Sequence, residues 1–459
     1  MSADYQPSEY VTVPEGWSCK RLADCTQDGA ISYGIVQPGQ HDESGVPVIR
    51  VNNISNGQLD LSEVLRVSPE IEEKYKRTRL QGGEVLLTLV GSTGQSFVAP
   101  AELAGWNVPR AIAVIRASED VGADWINICL QSKETMHFLN VRANTTVQKT
   151  LNLKDVRDIP ILIPPYGVKK SIENVALSLS EKVELNQQIN QTLEQMAQAI
   201  FKSWFVDFEP VKAKIEALEA GGSEDDALLA AMQAISGKDP QQLTQLQTES
   251  PEYYTTLRTT AELFPAAMQE SELGKIPEGW FLPSFEELTT AKQGRYLSKD
   301  KMLTVANEEF KVPVWGGNGI LGYAEKSAYS SPVVLMTCRG SNCGLIKYTE
   351  SASWVSNNSF ACTPCIGSSW FLLNYFQLST FEDCISGSAQ PQITHTALKT
   401  KQLRFPVQKQ LCERYSEIIN PIFDHILQLK KEIITLEETR DTLLPKLLSG
   451  ELSVNQDAK

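Results

Sequence analysis

Residues Val168–Phe208 read VKKSIENVALSLSEKVELNQQINQTLEQMAQAIFKSWFVDF, and a second copy of this pattern occupies Val407–Leu448. A shift of 243 residues aligns Thr192-Leu193-Glu194-Gln195 with Thr435-Leu436-Glu437-Glu438. Apolar residues recur every seven positions in both copies, which is typical of helices that pack along their whole length as a coiled coil. Each copy has about 40 residues, and a helix of that length is roughly 60 Å long.

The heptad positions define a seam between the two predicted helices. Asn186 and Asn190 interrupt the first seam where the second is apolar, and buried asparagines of this kind set register and partner choice at some cost in stability. Two long helices buried separately are the alternative, but they would not explain the shared register. The seam residues are predicted to be Leu179, Val183, Asn190, Leu193, Ile200, Trp204, Phe205, Ile422, Ile426, Leu429, Ile433, Leu436 and Leu443.

Length and composition indicate a globular protein of two or three domains, with 459 residues of which 42% are hydrophobic and 21% charged. No apolar run approaches the roughly 20 residues that span a bilayer, and Met1–Tyr10 lacks the features of a secretion signal. Nine cysteines, an odd number at uneven spacing, argue against a disulfide framework. These features predict a cytoplasmic protein without membrane contact.

The net charge of −14 argues at first against a nucleic-acid partner. Half of it, however, comes from Gly221–Trp280, where ten acidic residues face three basic ones. The remaining chain is only mildly acidic, and local basic patches matter more for DNA binding than the overall sum.

The chain repeats one plan twice. Each half opens with Pro-Glu-Gly-Trp (Pro14–Trp17 and Pro277–Trp280), continues through a region rich in β-branched residues, Gly and Asn, and ends in a long helix. The predicted fold class is α/β: two tandem mixed α/β (α+β) heads separated by two long antiparallel helices that form a coiled coil, in a pseudo-twofold internal repeat. The predicted domains are 1–167 (first head), 168–220 (central helix), 221–275 (acidic linker or insertion), 276–406 (second head) and 407–459 (distal helix and tail).

Four stretches read as strands because β-branched residues alternate or cluster before Gly-rich turns. They are Val46–Val51, Glu84–Val90, Val312–Trp315 and Val333–Met336. The acidic segment reads as a linker with a short helix at Ala227–Ile235, and its Gly, Ser, Asp and Gln content favours mobility on part of its length.

The motifs that could carry catalysis or a metal are weak. Ile163-Pro164-Pro165-Tyr166 resembles the catalytic tetrapeptide of DNA amino-methyltransferases, but isoleucine cannot accept a hydrogen bond from an adenine amino group. Cys338, Cys343, Cys362 and Cys365 could supply thiolates to zinc, although buried free cysteines among strands explain them better. We therefore expect no catalytic site, no metal and no bound cofactor.

Arg, Asn and Gln side chains on loops are the more useful signal, because these residue types read guanine and adenine edges, while Lys, Ser and Thr hold phosphates. Turn geometry is the competing explanation for loop asparagines. In the first head the candidates are Arg50, Asn52, Asn53, Lys76, Arg77, Arg79, Ser92, Thr93, Gln95 and Arg110. In the second head they are Asn318, Arg339, Ser341, Asn342, Lys347, Asn357, Asn358, Gln390, Gln392 and Lys399.

The ends of the two helices resemble the conserved regions of the specificity subunit of type I restriction–modification systems. The matching runs are KSWFVDFEPV (Lys202–Val211) and RDTLLPKLLSGEL (Arg440–Leu452). The Pro-Glu-Gly-Trp openings, Gly45–Arg50 and Trp315–Gly319 are similar to the target-recognition domains of that family. The resemblance extends over almost the whole chain.

The resemblance implies a non-catalytic DNA-recognition subunit. Each head would read one half of a bipartite, asymmetric site in double-stranded DNA, and the helices would set the spacer. The helical seams and conserved ends would dock two methyltransferase subunits, and restriction (translocase) subunits would join them. S-adenosylmethionine, ATP and Mg²⁺ would belong to those partners. A coiled-coil scaffold without DNA specificity and an enzyme with a cryptic site are the rival hypotheses.

Overall fold

The computed structural model describes residues 11–55, 58–59, 61, 63–142, 150–387 and 390–453. The chain divides into two compact units: the first comprises the residues up to Leu185 and those from Ile433 onward, and the second comprises Asn186–Glu432. The outer ends of the first and last predicted domains, including Met1–Tyr10, lie outside the described residues. None of the helices in the described ranges is both long and apolar enough to cross a membrane.

The first head alternates short strands and short helices. Its strands are β1 (Ser18–Arg21), β2 (Thr26–Tyr33), β3 (Val46–Val48), β4 (Ile54–Ser55), β5 (Gln58–Leu59), β6 (Leu65–Val67), β7 (Val85–Thr88), β8 (Ser96–Val98), β9 (Ile112–Ala117) and β10 (Pro160–Ile163). Its helices are α1 (Pro69–Glu73), α2 (Ala123–Leu130), α3 (Lys133–Arg142) and α4 (Leu153–Arg157), and the long helix α5 (Tyr166–Phe205) follows.

Four helices follow α5 and precede the second head. The helices after α5 are α6 (Glu209–Glu219), α7 (Glu224–Ser236), α8 (Pro240–Glu249), α9 (Pro251–Glu262), α10 (Phe285–Leu288), α11 (Ser369–Gln377), α12 (His395–Lys399) and α13 (Lys409–Leu448). The strands are β11 (Met268–Ser271), β12 (Gly274–Pro277), β13 (Thr289–Gln293), β14 (Val312–Trp315), β15 (Ile320–Ala324), β16 (Val334–Thr337), β17 (Ile346–Tyr348), β18 (Trp354–Val355), β19 (Ser359–Pro364), β20 (Ile385–Ser386) and β21 (Gln392–Ile393).

The predicted fold class is confirmed, and the two long helices have 40 residues each. Within the first unit, Ile172 near the start of α5 shares a hydrophobic core with Leu447 near the end of α13. Within the second unit, Phe201 near the end of α5 packs against Tyr415 near the start of α13. The start of each helix thus packs with the end of the other, so the pair is antiparallel.

All thirteen predicted seam residues are buried or half-buried. Asn186 is fully buried and neither side-chain polar atom has a hydrogen-bond partner among the described residues; Asn190 is 6% exposed and its Oδ1 likewise lacks a partner. Trp204 and Phe205 correct the seam prediction in one respect. Their rings lie inside the core of the second unit, so they are not available to dock a partner.

A four-stranded antiparallel sheet forms the centre of the first head, in the order β2-β9-β7-β8. Both faces of β7 are buried. Val85 and Leu87 belong to one core, together with α2 and the two long helices, whereas Leu86 belongs to a separate core on the other face. This explains why β7 reads as a continuous apolar run rather than an alternating one.

The second head repeats this sheet in the order β13-β19-β16-β17, again antiparallel throughout. Val334 and Met336 of β16 face the large core that includes α11 and the long helices, while Leu335 faces a smaller cluster on the opposite side. The two sheets have the same strand order along the chain, which is the structural form of the internal repeat.

Aromatic residues form the core of the second unit around Phe201, which is fully buried. Five rings surround it with centroids 5.0–6.3 Å away: Phe205, Phe371, Tyr375, Phe405 and Tyr415. The Tyr415 hydroxyl also donates to the backbone carbonyl of Ala197 at 2.8 Å. This cluster packs α11 and both long helices together.

Tyr348 ties the second sheet to both long helices through polar contacts. Its hydroxyl donates to Glu194 Oε1 on α5 at 3.0 Å and accepts from Lys430 Nζ on α13 at 2.7 Å. Lys430 also pairs with Glu350 at 3.0 Å. Burial raises the pKa of Tyr348 to about 12, so the phenol stays protonated and can donate at neutral pH. The contacts fix the orientation of β17 on the helices.

The acidic segment is a small helical subdomain, although its composition favoured a partly mobile linker. Helices α7, α8 and α9 enclose a core of their own that includes Ala231, Met232, Leu243 and Leu257. Capping boxes begin α7 at Ser223 and α8 at Asp239. The predicted short helix Ala227–Ile235 lies within α7 (Glu224–Ser236).

We predict that Phe201→Ala lowers the free energy of unfolding of the second unit by about 3–5 kcal/mol, because it removes a fully buried ring from five aromatic neighbours. Met196→Ala on the same helix is the matched control, since Met196 is 48% exposed. Urea unfolding of the full chain measures both. Equal losses for the two variants would contradict this account of the core.

Candidate nucleic-acid interface

Nine of the twenty predicted DNA-contacting residues lie in loops at one end of the two central sheets. In the first head, Thr88 at the end of β7 pairs with Ile112 at the start of β9. In the second head, Thr337 at the end of β16 pairs with Ser359 at the start of β19. The loops at these strand ends carry Ser92, Thr93, Gln95 and Arg110 in the first head, and Arg339, Ser341, Asn342, Asn357 and Asn358 in the second.

The two heads hold these loops with the same backbone hydrogen bonds. In the first head, the N–H of Leu89 donates to the carbonyl of Ala111 at 2.7 Å, and the N–H of Leu151 donates to the carbonyl of Leu89 at 2.9 Å. In the second head, the N–H of Cys338 donates to the carbonyl of Asn358 at 2.8 Å, and the N–H of Ile393 donates to the carbonyl of Cys338 at 3.0 Å. The next residues form β-bridges in the same register, Val90 with Thr150 and Arg339 with Gln392. Arg339 therefore occupies the position of Val90, and Gln392 that of Thr150.

A glycine with positive φ turns each of these loops outward. Gly91 has φ +82° and Gly340 has φ +97°, a conformation that other residues rarely adopt. The next residues, Ser92 and Ser341, are exposed. Both heads thus present a short polar loop at the same place in the fold.

Side-chain contacts join two loops of the second head. Asn342 Nδ2 donates to Asn318 Oδ1 at 2.9 Å, and Thr337 Oγ1 donates to the carbonyl of Gly317 at 2.9 Å. These bonds bring the Gly316–Gly319 loop beside the loop after β16. The sequence had suggested these residues separately, and the fold assembles them into one surface.

Arg50, Asn52 and Asn53 are three neighbouring candidates in the first head, and two of them, Arg50 and Asn53, have structural roles. Asn53 is 3% exposed, accepts from the backbone N–H of Arg50 at 2.9 Å and donates to the carbonyl of Glu63 at 2.9 Å. Arg50 also donates to that carbonyl, at 3.3 Å. Asn52 is exposed and remains the better candidate for a DNA contact.

The candidates Lys76, Arg77 and Arg79 lie in the basic run Lys74–Arg79, and two of them, Lys76 and Arg79, are less available for DNA than predicted. Arg79 donates to both carboxylate oxygens of Glu72, which is 1% exposed, and to Glu73 at 3.1 Å. Lys76 pairs with Glu73 at 3.0 Å. Lys74 and Arg77 are exposed and take part in no ion pair among the described residues, so Arg77 is the one candidate of this run whose charge is unpaired.

Glu72 links this run to the body of the first head. Asn107, fully buried, donates to Glu72 Oε1 at 2.9 Å. The hydrogen bonds from Arg79 hold the pKa of Glu72 below its ordinary value of 4.5. Because the folded-state pKa is the lower one, the pair stabilises the fold above about pH 4.5 and loses that effect as the pH falls through the depressed pKa.

We therefore predict that Arg79→Met destabilises the first head at pH 7 by more than 1 kcal/mol, because it leaves a buried carboxylate unpaired. The deficit should shrink as the pH falls below about 4.5, the ordinary pKa of this carboxyl, and on through the lower pKa that Glu72 has in the native pair. Arg77→Met, the matched control, should change stability by less than about 0.5 kcal/mol. Thermal unfolding from pH 3 to pH 7 measures both, and a deficit independent of pH would refute the role assigned to Glu72.

Three further candidates of the second head lie in different structural surroundings. Lys347 lies on β17, opposite Leu335, and is half-buried on the strand rather than at the loop end. Lys399 on α12 pairs with Glu286 at 3.3 Å. Gln390 is exposed just before β21. The loop-end surface therefore includes Gln390 but neither lysine.

Next to Arg339 lies a cleft of about 330 Å³ that the sequence did not reveal. Besides Arg339 and Gln392 it is lined by Gln293, Phe360 and His395. Gln293 ends β13 and His395 begins α12, so residues about 100 positions apart meet here. Only the fold brings them together.

Sequence reasoning also missed a second basic segment, KQGRYLSKDK (Lys292–Lys301). It places four cations around an aromatic residue, as Lys74–Arg79 does, and Tyr296 is 72% exposed. Its four cations take part in no ion pair among the described residues. They are Lys292, Arg295, Lys299 and Lys301.

All nine cysteines are free thiols, and Cys362 is buried while Cys365 is exposed. In the described part of the chain no group of three or more His, Cys, Asp or Glu side chains is placed to hold a metal ion. Burial raises the pKa of the Cys362 thiol to about 12, which favours the protonated form over the thiolate.

The family model described as the type I restriction modification DNA specificity domain matches this chain twice, at residues 14–195 and 277–438. The chain belongs to this family. The resemblance found in the sequence is thereby confirmed, and the protein is a specificity subunit of a type I restriction–modification system.

Known specificity subunits resemble this one along most of their length. The HindI specificity subunit of Haemophilus influenzae is 28% identical over 437 residues, covering 89% of this chain and 94% of that protein. The MjaIX specificity subunit of Methanocaldococcus jannaschii is 20% identical over 466 residues, covering 99% and 97%. The crystal structure of the S subunit of the M. genitalium type I system has a TM-score of 0.50 at 15% identity, covering 95% and 98%.

The two family matches each include one head and much of the long helix that follows it. They leave out residues 196–276, which contain α6–α9 of this specificity subunit. The parts of the chain that match the DNA specificity domain are thus the two heads and most of the long helix after each.

Proposed function

We propose that this specificity subunit reads two different half-sites of one DNA target and catalyses no reaction itself. The observation that carries the proposal is the matched loop surface of the two heads. The same strand ends, held by the same backbone hydrogen bonds, carry different polar side chains in each head. One fold presented twice with different side chains suits the reading of an asymmetric, bipartite sequence.

Exposed positive charge in both heads supports DNA as the ligand. Arg77 and Arg110 in the first head, and Arg295 and Arg339 in the second, are exposed. Cations on loops hold phosphates and position the base-reading groups, even in a protein of net negative charge.

The partners and their cofactors follow from the family alone. Two methyltransferase subunits would dock on the helices and carry S-adenosylmethionine, and restriction subunits would carry ATP and Mg²⁺. The extruded adenine would enter the methyltransferase rather than this chain. The approximate twofold repeat would let two identical partners bind equivalent surfaces.

The decisive test is a genome-wide map of methylated adenine in a host that expresses this chain with a candidate methyltransferase subunit. We expect a bipartite motif that disappears when the chain is deleted. Charge reversal of Arg77, exposed and unpaired, should weaken methylation at that motif. If intact complexes formed without any chain-dependent motif, the rival hypothesis of a protein-binding scaffold would replace this one.

We also propose that the long helices act as a ruler, meaning that their length sets the spacer between the two half-sites. A heptad inserted between Leu185 and Asn186, and another between Glu432 and Ile433, preserves the seam and lengthens each helix by about 10 Å. The same methylation map should then show both half-sites unchanged and a spacer longer by at most about three base pairs. A changed half-site with an unchanged spacer would contradict the ruler.

A further inference from the structure

The cleft beside Arg339 contains hydrogen-bonding groups that the second head itself leaves unused. Phe360 is 3% exposed and forms its floor, while Arg339, Gln392 and His395 are exposed at its rim. No hydrogen bond or ion pair within the described residues engages the Arg339 guanidinium or the Gln392 side-chain amide. Free donors around a buried aromatic floor indicate a site for a polar, planar ligand.

The backbone holds these groups in place. Arg339 and Gln392 face each other across a β-bridge, which fixes the distance between the two chain segments. Gln293 is anchored because its Nε2 donates to the carbonyl of Asn357 at 2.9 Å. Thr394 caps α12 by accepting from the N–H of Ala397 at 3.2 Å, which positions His395 as the first residue of that helix.

The first head has no such set at the equivalent positions. Val90 stands where the second head has Arg339, and Thr150 stands where it has Gln392. Tyr33 ends β2 as Gln293 ends β13, and Leu153 begins α4 as His395 begins α12. The frame of the cleft is common to both heads, whereas its charged and amide groups belong to the second alone.

We propose that this cleft is a base-reading subsite of the second head, in which the Arg339 guanidinium donates two hydrogen bonds to O6 and N7 of a guanine. The inference rests on the proposed function. A planar guanidinium matches the two acceptors of guanine in the major groove. The flanking side chains that line the cleft are neutral amides and an imidazole rather than further lysines or arginines, which favours a base edge over a phosphate.

Asymmetry between the heads follows directly. Val90 can contact a thymine methyl group but cannot donate a hydrogen bond, so the equivalent position of the first half-site is not read as guanine by that side chain. Arg339 is thus a determinant of one half-site only.

Arg339→Val, which installs the residue of the first head, tests the proposal in the complex with the methyltransferase subunits. In the methylation map we expect one guanine of the second half-site to become degenerate, with roughly ten- to hundredfold weaker discrimination there. The first half-site and the spacer should not change. Arg404→Val, an exposed arginine of the same head outside the cleft, is the matched control and should leave the motif intact.

Arg339→Lys keeps the charge without the planar fork, and it separates base reading from phosphate binding. Relaxed discrimination at the same position, with an unchanged salt dependence of DNA binding, supports the subsite. An unchanged motif with uniformly weaker binding of Arg339→Val, and a salt slope smaller by about one, would mean a phosphate contact and overturn it.

Failure of this inference is distinct from failure of the proposed function. If wild-type complexes write a bipartite motif and Arg339→Val writes the same one, only the subsite is refuted. If wild-type complexes write no chain-dependent motif, the proposed function fails and the subsite with it.

Discussion

Burial of the central strand on both faces is the constraint on which each head depends. Leu86 and Leu87 of β7 face different cores, and so do Leu335 and Met336 of β16. A strand without a solvent face cannot carry exposed polar groups along its length. Polar residues are therefore confined to the loops at its ends, where they vary without disturbing the core. The proposed recognition surface and the buried core thus lie in different parts of each head.

Much of this architecture could be predicted because it rests on local patterns. The heptad seam placed both long helices within about three residues of their ends, and β14 has the predicted bounds Val312–Trp315. Clusters of β-branched residues before glycine-rich turns marked β7 and β16. Periodicity and turn chemistry are read within a few residues of one another, so they survive without knowledge of the tertiary fold.

The features that could not be predicted from the sequence depend on contacts between residues far apart in the chain. The pairing of Arg79 with Glu72 required a backbone that turns between them, and the cleft required Gln293, Arg339 and Gln392 to meet from three segments. The acidic segment was misleading for another reason. Its polar composition describes the outer faces of α7–α9, while the few apolar residues that form their core are spread too thinly to stand out.

The helical subdomain has a consequence for how DNA arrives. Glu224–Glu262 contains seven acidic residues and two basic ones, so its surface repels phosphates. Long-range repulsion on one side of a protein biases the orientation of diffusional encounters, and the bias fades once ionic strength shortens the Debye length to about 10 Å or less. We therefore expect the subdomain to affect the rate at which DNA is encountered, at low salt above all.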